Sequence, residues 1–200
     1  MQNNLVVERL KSQIAFIAEV DQIKHIVRMN YLSDGSRREN DAEHSWHLAL
    51  MAVLLAEHAN EPNLDVGKAV KMVLIHDVVE IDAGDTYAYD AKGMEDQAER
   101  EQKAADRIFA ILPEDQAKEF RAIWDEFEER KTPEAKYAAA LDRLHPMLLN
   151  FLSGGKSWID NGITQEMARN RNKHAAEGSE TLWNFAEHLI KESGENGYLK

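Results

Sequence analysis

Apolar residues recur at intervals of three and four along nearly the whole chain, and no stretch shows the apolar–polar alternation of a half-buried strand. The pattern predicts an all-α protein. A first helix is expected from about Leu5 to Glu19, with Val6, Leu10, Ile14 and Ile17 inward. A second, short helix would carry Ile23, Ile26 and Val27 and bring Arg28 near its end. Turn residues from Leu32 to Ser36 mark a loop, followed by Arg37 and Arg38. Asn40 with Glu43 three residues on reads as a capping box. The helix it opens, Ala42 to about Ala59, is apolar on nearly every side through Trp46, Leu48, Leu50, Met51, Val53, Leu54 and Leu55. Such a helix is expected at the centre of a core.

After a turn at residues 60–63, Asp65 can cap a helix whose stripe of Val66, Ala69, Val70, Val73 and Leu74 runs on to Asp77. A loop from Ile81 to Asp90 follows, polar and aromatic, of the kind that carries substrate contacts. The next helix, Met94 to Leu112, should bury Ala98, Ala105, Ile108, Phe109 and Leu112. Pro113 opens another, with Phe120, Ile123, Trp124 and Phe127 inward. Thr132-Pro133 is a cap with proline at the first helical position. The helix it starts has a stripe of Ala138, Leu141, Leu148, Leu149 and Leu152 and stops at Ser153-Gly154-Gly155. Ile163 to Glu192 reads as one helix, or two broken near Gly178, packing through Leu182, Phe185, Ala186 and Leu189, with a frayed tail from Ser193.

Four polar residues interrupt this pattern on the apolar stripes. Asp77 and Asp142 aim carboxylates at a core, which is costly unless something pairs with them. His44 shares the stripe of Leu48, Met51 and Leu55, and His76 stands beside Asp77. Helices joined by a few residues are antiparallel neighbours. His44 opens the first and His76 closes the second, so at about 1.5 Å per residue both fall at one end of the hairpin. Taken singly, each residue fits a core salt bridge, with Arg143 or Arg37 as the cation; as a set they fit a metal. His47, one turn beyond His44, and His145, one turn beyond Asp142, read either as further ligands or as packing residues and hydrogen-bond partners of a ligand. His25, His58, His174 and His188 sit among polar neighbours.

Composition narrows the function. A formal net charge of −12 argues against a nucleic-acid track, which needs a basic surface, but leaves a single phosphate open. No segment has the roughly 20 apolar residues of a membrane span. Residues 1–4 lack the order of a signal peptide, so a cytoplasmic protein is expected. The absence of cysteine rules out disulfides and thiolate metal sites.

Several stretches resemble a known family: Glu43-His44-Ser45, His76-Asp77-Val78-Val79-Glu80, Gly84-Asp85, the turn Leu112-Pro113-Glu114, and Ala140-Leu141-Asp142. In this order, on a helical background, they look like the HD-domain metal-dependent phosphohydrolases, and within them the branch containing bacterial 5′-deoxynucleotidase. The resemblance covers roughly Ile14 to Leu152. It implies an HD-domain helical bundle in one domain over residues 1–200, with a core of about 14–152 and C-terminal helices 163–192 packed on it. It further implies that His44, His76, Asp77 and Asp142 bind one divalent cation, that Glu80 is the catalytic acid/base, and that Asp85 is a second acidic position. Arg28 would face the substrate phosphate, and Met29 stands where the deoxynucleotidases carry tryptophan. A homodimer is implied as well.

The chemistry these parts imply is hydrolysis of a small phosphomonoester, a nucleoside or deoxynucleoside 5′-monophosphate, by a metal-activated water. Nitrogen and oxygen ligands together suit manganese, cobalt, iron, nickel or zinc. Two rivals remain. One is a phosphodiesterase or guanosine polyphosphate hydrolase on the same scaffold. The other is a non-catalytic nucleotide-sensing module whose metal is structural, for which an intact Glu80 and Asp85 would be superfluous.

Overall fold

The computed structural model describes residues 2–90 and 92–200. Helices α1 (Gln2–Val20), α2 (Asp41–Leu54), α3 (Val66–Ile75), α4 (Glu80–Ala83), α5 (Gln97–Phe109), α6 (Glu114–Glu129), α7 (Pro133–Leu152), α8 (Lys156–Asn161), α9 (Gln165–Asn172) and α10 (Glu180–Glu195) make up most of it. The start signals act as the sequence predicts. Asn40 and Glu43 form a reciprocal capping box on α2, Asp65 accepts from the Lys68 amide, and Thr132 accepts from the Ala135 amide.

The expected second helix is absent. Asp21–His25 is a 3-10 turn, and β1 (Val27–Tyr31) pairs antiparallel with β2 (Arg38–Asn40), Val27 opposite Asn40 and Tyr31 opposite Arg38. Val27 and Tyr31 favour extended backbone, and too few apolar positions follow Ile26 to bury a helical face. Arg28 therefore projects from a strand.

Two apolar clusters fill the interior. Leu48, Met72, Val73, Tyr137, Leu141 and Ile190 belong to the first, where the α2–α3 hairpin meets α7 and α10. Phe16, Ile23, Val78, Val79, Ile108 and Trp124 belong to the second, where α5 and α6 pack on the turn after α3. That turn, a 3-10 segment over His76–Val79, lies at the seam between them. Gly178 brings the approach to α10 against α7, since a Cβ there would sit 2.1 Å from the Lys136 carbonyl oxygen.

Several stripes face the other way from expectation. Val6, Leu10, Ile14 and Ile17 of α1 are 55–64% exposed. α1 is instead tied down by Phe16 and by polar links, Arg9 to Asp115 and Gln13 to Gln116. α2 is not apolar-buried all round, because Trp46, Leu50, Val53 and Leu54 are exposed. Leu152 and Phe185 are exposed too, as is Ala98, while Ile190 takes the inward place. The frayed tail is also corrected: Leu199 is buried, the Lys200 amide donates to the Ile163 carbonyl at 3.0 Å, and the Gln165 amide donates to that of Lys200 at 2.9 Å.

Candidate metal centre and active site

Three pieces of chain deliver the polar stripe residues to one place. His44 lies in the first turn of α2, Asp142 in the middle of α7, and His76 and Asp77 in the 3-10 turn. The His44 and His76 ring centroids are 5.6 Å apart, as the hairpin argument requires. In a 3-10 turn, residues three apart eclipse, so Asp77 and Glu80 share a side. The His76 ring packs on Phe127 with centroids 4.9 Å apart. Its own carbonyl accepts from the Trp124 indole N–H at 3.1 Å, which pins the backbone of the turn.

The donor atoms fit a cation. His76 Nδ1–H donates to the Val73 carbonyl at 3.0 Å, which leaves Nε2 as the nitrogen turned to the carboxylates. That buried Nε2 has no hydrogen-bond partner, yet it lies 3.1 Å from Asp77 Oδ1 and 3.8 Å from Asp142 Oδ1. His44 Nε2 is 3.1 Å from Asp142 Oδ1 and 3.7 Å from Asp77 Oδ2. Carboxylates gathered this closely need positive charge among them, which a proton on His76 Nε2 supplies and a metal cation in its place would supply too. The electrostatics agree. Burial works against charge on His76, but Asp77 and Asp142 outweigh it and raise the imidazole to about 10. Burial lowers His44 to about 4, with Arg28 adding to the effect, so its ring is neutral and ready to ligate at pH 7. Asp77 and Asp142 stay ionised despite burial, held low by His76 and Arg28 and by Arg143 and the two imidazoles respectively.

The family model for the HD domain matches residues 20–183, which takes in every one of these groups. The chain belongs to the HD-domain family. A crystal structure described as a predicted metal-dependent phosphohydrolase from Magnetospirillum magnetotacticum is 48% identical, covers 96% of this chain and 95% of that one, and has a TM-score of 0.91. The human 5′-deoxynucleotidase HDDC2 is 30% identical over 139 residues, 69% of this chain and 66% of the human protein. The 5′-deoxynucleotidase hdd1 of Schizosaccharomyces pombe is 25% identical over 66% of this chain and 67% of its own length.

Beside the ligand cluster, the HD domain holds a buried acid group. Arg28 Nη1 donates to Asp41 Oδ1 at 2.9 Å and to Asp77 Oδ2 at 2.8 Å. That edge of the guanidinium is engaged, so only its other donors remain for a ligand. Burial, with Asp77 and Asp41 nearby, pushes Glu80 well above the usual carboxylate range. Burial and Asp77 raise Asp41 to about 6. Glu80 Oε2 and Asp41 Oδ2 have no hydrogen-bond partner among the described residues, and oxygens of Asp41, Asp77 and Glu80 lie within 4.8 Å of one another.

These groups open on a cleft of about 170 Å³ lined by Arg28, Met29, His76, Asp77, Glu80 and Asp85. Gly84, at φ 75°, turns the chain out of α4 and carries Asp85 to the wall. The loop beyond supplies Thr86, Tyr87 and Tyr89 to the same wall. Arg100 holds it there through Thr86 Oγ1 at 3.0 Å and the carbonyls of Ala83 and Gly93. Burial raises Asp85 against the opposing pull of Arg28.

Every residue the sequence proposed for the site is thus in the cleft or, for His44, directly behind it. Of the two salt-bridge alternatives, Arg143 does meet Asp142, Nη2 to Oδ2 at 2.9 Å, while Asp142 Oδ1 still faces both imidazoles; Arg37 pairs with Glu43 instead. Asp41 and Glu39 were not foreseen. Asp41 opens α2, where an acid is an ordinary helix-dipole residue, Glu39 lies in β2 just before it, and only their burial (0% and 2% exposed) marks them.

Proposed function

We propose that this HD domain is a metal-dependent phosphohydrolase acting on a small phosphomonoester, a nucleoside or deoxynucleoside 5′-monophosphate. One divalent cation, manganese, cobalt, iron, nickel or zinc, would be held by His44, His76, Asp77 and Asp142. The observation that carries this is the buried His76 Nε2 facing two carboxylates, within a cleft that also holds Glu80, whose carboxyl burial pushes well above the usual carboxylate range. A cation bound there supplies Lewis acidity and lowers the pKa of water. Glu80 holds the proton that the departing alkoxide needs, and the attacking water restores it. Asp41 is the partner that keeps this proton in place, and Arg28 supplies positive charge toward the phosphate. Asp85 lies across the cleft as a second acid.

The test is phosphate release from a panel of 5′-monophosphates by protein stripped of metal and reloaded with each cation in turn. Glu80→Gln should keep its metal and lose about 100-fold or more in kcat, within the range for general acid–base catalysis. Metal-independent release, or an active Glu80→Gln, would remove the proposal. A substrate with additional phosphates is the second reading, because Arg143 and Arg171 line the same cleft and Arg171 Nε has no partner among the described residues. Faster turnover of a polyphosphorylated nucleotide in the same panel would select it.

The chain is further proposed to work as one unit over its full length and as a homodimer. Support for the first is that α10 shares the first apolar cluster with α2, α3 and α7. The exposed apolar stripe of α1 supports the second.

A further inference from the structure

Three imidazoles run in line from the ligand cluster toward the surface. His44 Nδ1 lies 3.0 Å from His145 Nδ1, and His145 Nε2 lies 2.9 Å from His47 Nδ1. His44 and His145 are fully buried, and His47 is half-buried. A neutral imidazole has one N–H and one acceptor nitrogen, so the direction of either hydrogen bond fixes the other. His44 Nε2 points at Asp142 Oδ1 and Asp77 Oδ2. A nitrogen that ligates a metal carries no proton, so a ligating His44 must carry its proton on Nδ1. His145 Nδ1 then accepts, His145 Nε2–H donates to His47 Nδ1, and His47 carries its proton on Nε2. The opposite polarity would put a proton on His44 Nε2, aimed at Asp142, and close that nitrogen to a cation.

We propose that His145 is a positioning residue that sets the tautomer of His44 and so presents Nε2 to a divalent cation, with His47 anchoring His145 in turn. The inference rests on the reading of His44 as a ligand given above. Glu39 is the competing orienter, but its carboxylate oxygens lie 3.7 Å from His44 Nδ1 and 3.7 Å from His145 Nε2, beyond hydrogen-bond reach.

The chain can be read directly in the wild-type protein loaded with zinc, by nitrogen-15 correlation of the histidine rings. His44 should be protonated at Nδ1 and His145 at Nε2; His44 protonated at Nε2, or His145 at Nδ1, overturns the proposal. Dissociation constants for manganese and cobalt, with the cobalt visible absorption as signature, give a second readout. His145→Leu should raise them about 10- to 100-fold, the usual consequence of removing a ligand's outer partner, with kcat recovering at saturating cation. His145→Asn, which offers an acceptor oxygen where Nδ1 stood, should stay near wild type. An unchanged His145→Leu, an Asn variant as weak as Leu, or a loss that appears in Glu39→Gln instead would each overturn it. His76→Ala separates the two readings. If wild type binds no cation, or His76→Ala binds as tightly as wild type, the metal centre itself is wrong. If His76→Ala loses the metal while His145→Leu keeps it, only the positioning role fails. Should His145→Leu not fold, the wild-type ring tautomers and a weakened His47→Ala carry the test.

Discussion

Glu39 is a carboxyl in a place with no donor to meet its Oε2, and burial raises it to about 8. In the unfolded chain the same group releases its proton near 4.3. Between those values the folded state binds the extra proton, so stability falls as pH rises, with a slope of at most about 1.4 kcal/mol per pH unit. Glu39→Gln should remove that slope in metal-stripped protein: thermal melts of variant and wild type should converge near pH 4 and diverge toward pH 8, the variant higher. A second residue-scale expectation concerns Asp41. Asp41→Asn leaves Arg28 Nη1 a partner but weakens Glu80's hold on its proton, so the alkaline limb of the kcat profile should move to lower pH while metal affinity stays. The clustering of His44, His76, Asp77 and Asp142 was legible because a polar group on an apolar stripe is an anomaly with a cost. Asp41 was hidden because an acid at a helix start is commonplace, and Glu39 because it lies in β2, a strand too short to show a period.

At the scale of elements, capping signals were the most legible feature, since a cap is a local bond between residues three apart. The α2–α3 hairpin was legible for a related reason: a short turn leaves few ways to place two helices. Leu48 and Met72 are fully buried where the pair meets α7, and Leu48→Ala should cost about 2–5 kcal/mol in denaturant unfolding. The strands were not legible, because five and three residues are too few to show a period. The Gly84 turn carries the most function for its length. Its φ of 75° with ψ of 149° is a backbone region left almost entirely to glycine. Gly84→Ala meets no atom within 4 Å, so its cost is conformational, about 1–3 kcal/mol. Moving Asp85 and the tyrosines off the wall should lower kcat/KM roughly 10- to 100-fold, with cation affinity unchanged because Gly84 lies outside the ligand set.

For the whole molecule, periodicity located apolar faces without saying what they face. The stripe of Val6, Leu10, Ile14 and Ile17 has sound helical spacing and points outward, and spacing alone reads the same for an outward face as for one turned to the core. Leu10→Glu with Ile14→Glu should convert a dimer to monomer in light scattering while changing the unfolding free energy of the protomer by no more than about 0.5 kcal/mol per site. A monomeric wild type would refute the assignment of that face. The tail was misread because its charges suggested fraying, whereas Leu199 and the backbone pairing of Lys200 hold it to the start of α9. One contact within the bundle also has an optical consequence. Trp124 is 1% exposed, and its indole donates to the carbonyl of His76. The histidine proposed as a ligand is thus wired by one hydrogen bond to a fluorophore shielded from water. Metal that draws in the His76 ring should alter the emission of Trp124, and cobalt should quench it, and Trp124→Phe should abolish most of that response. The protein would then report the filling of its own site without label or coupled enzyme.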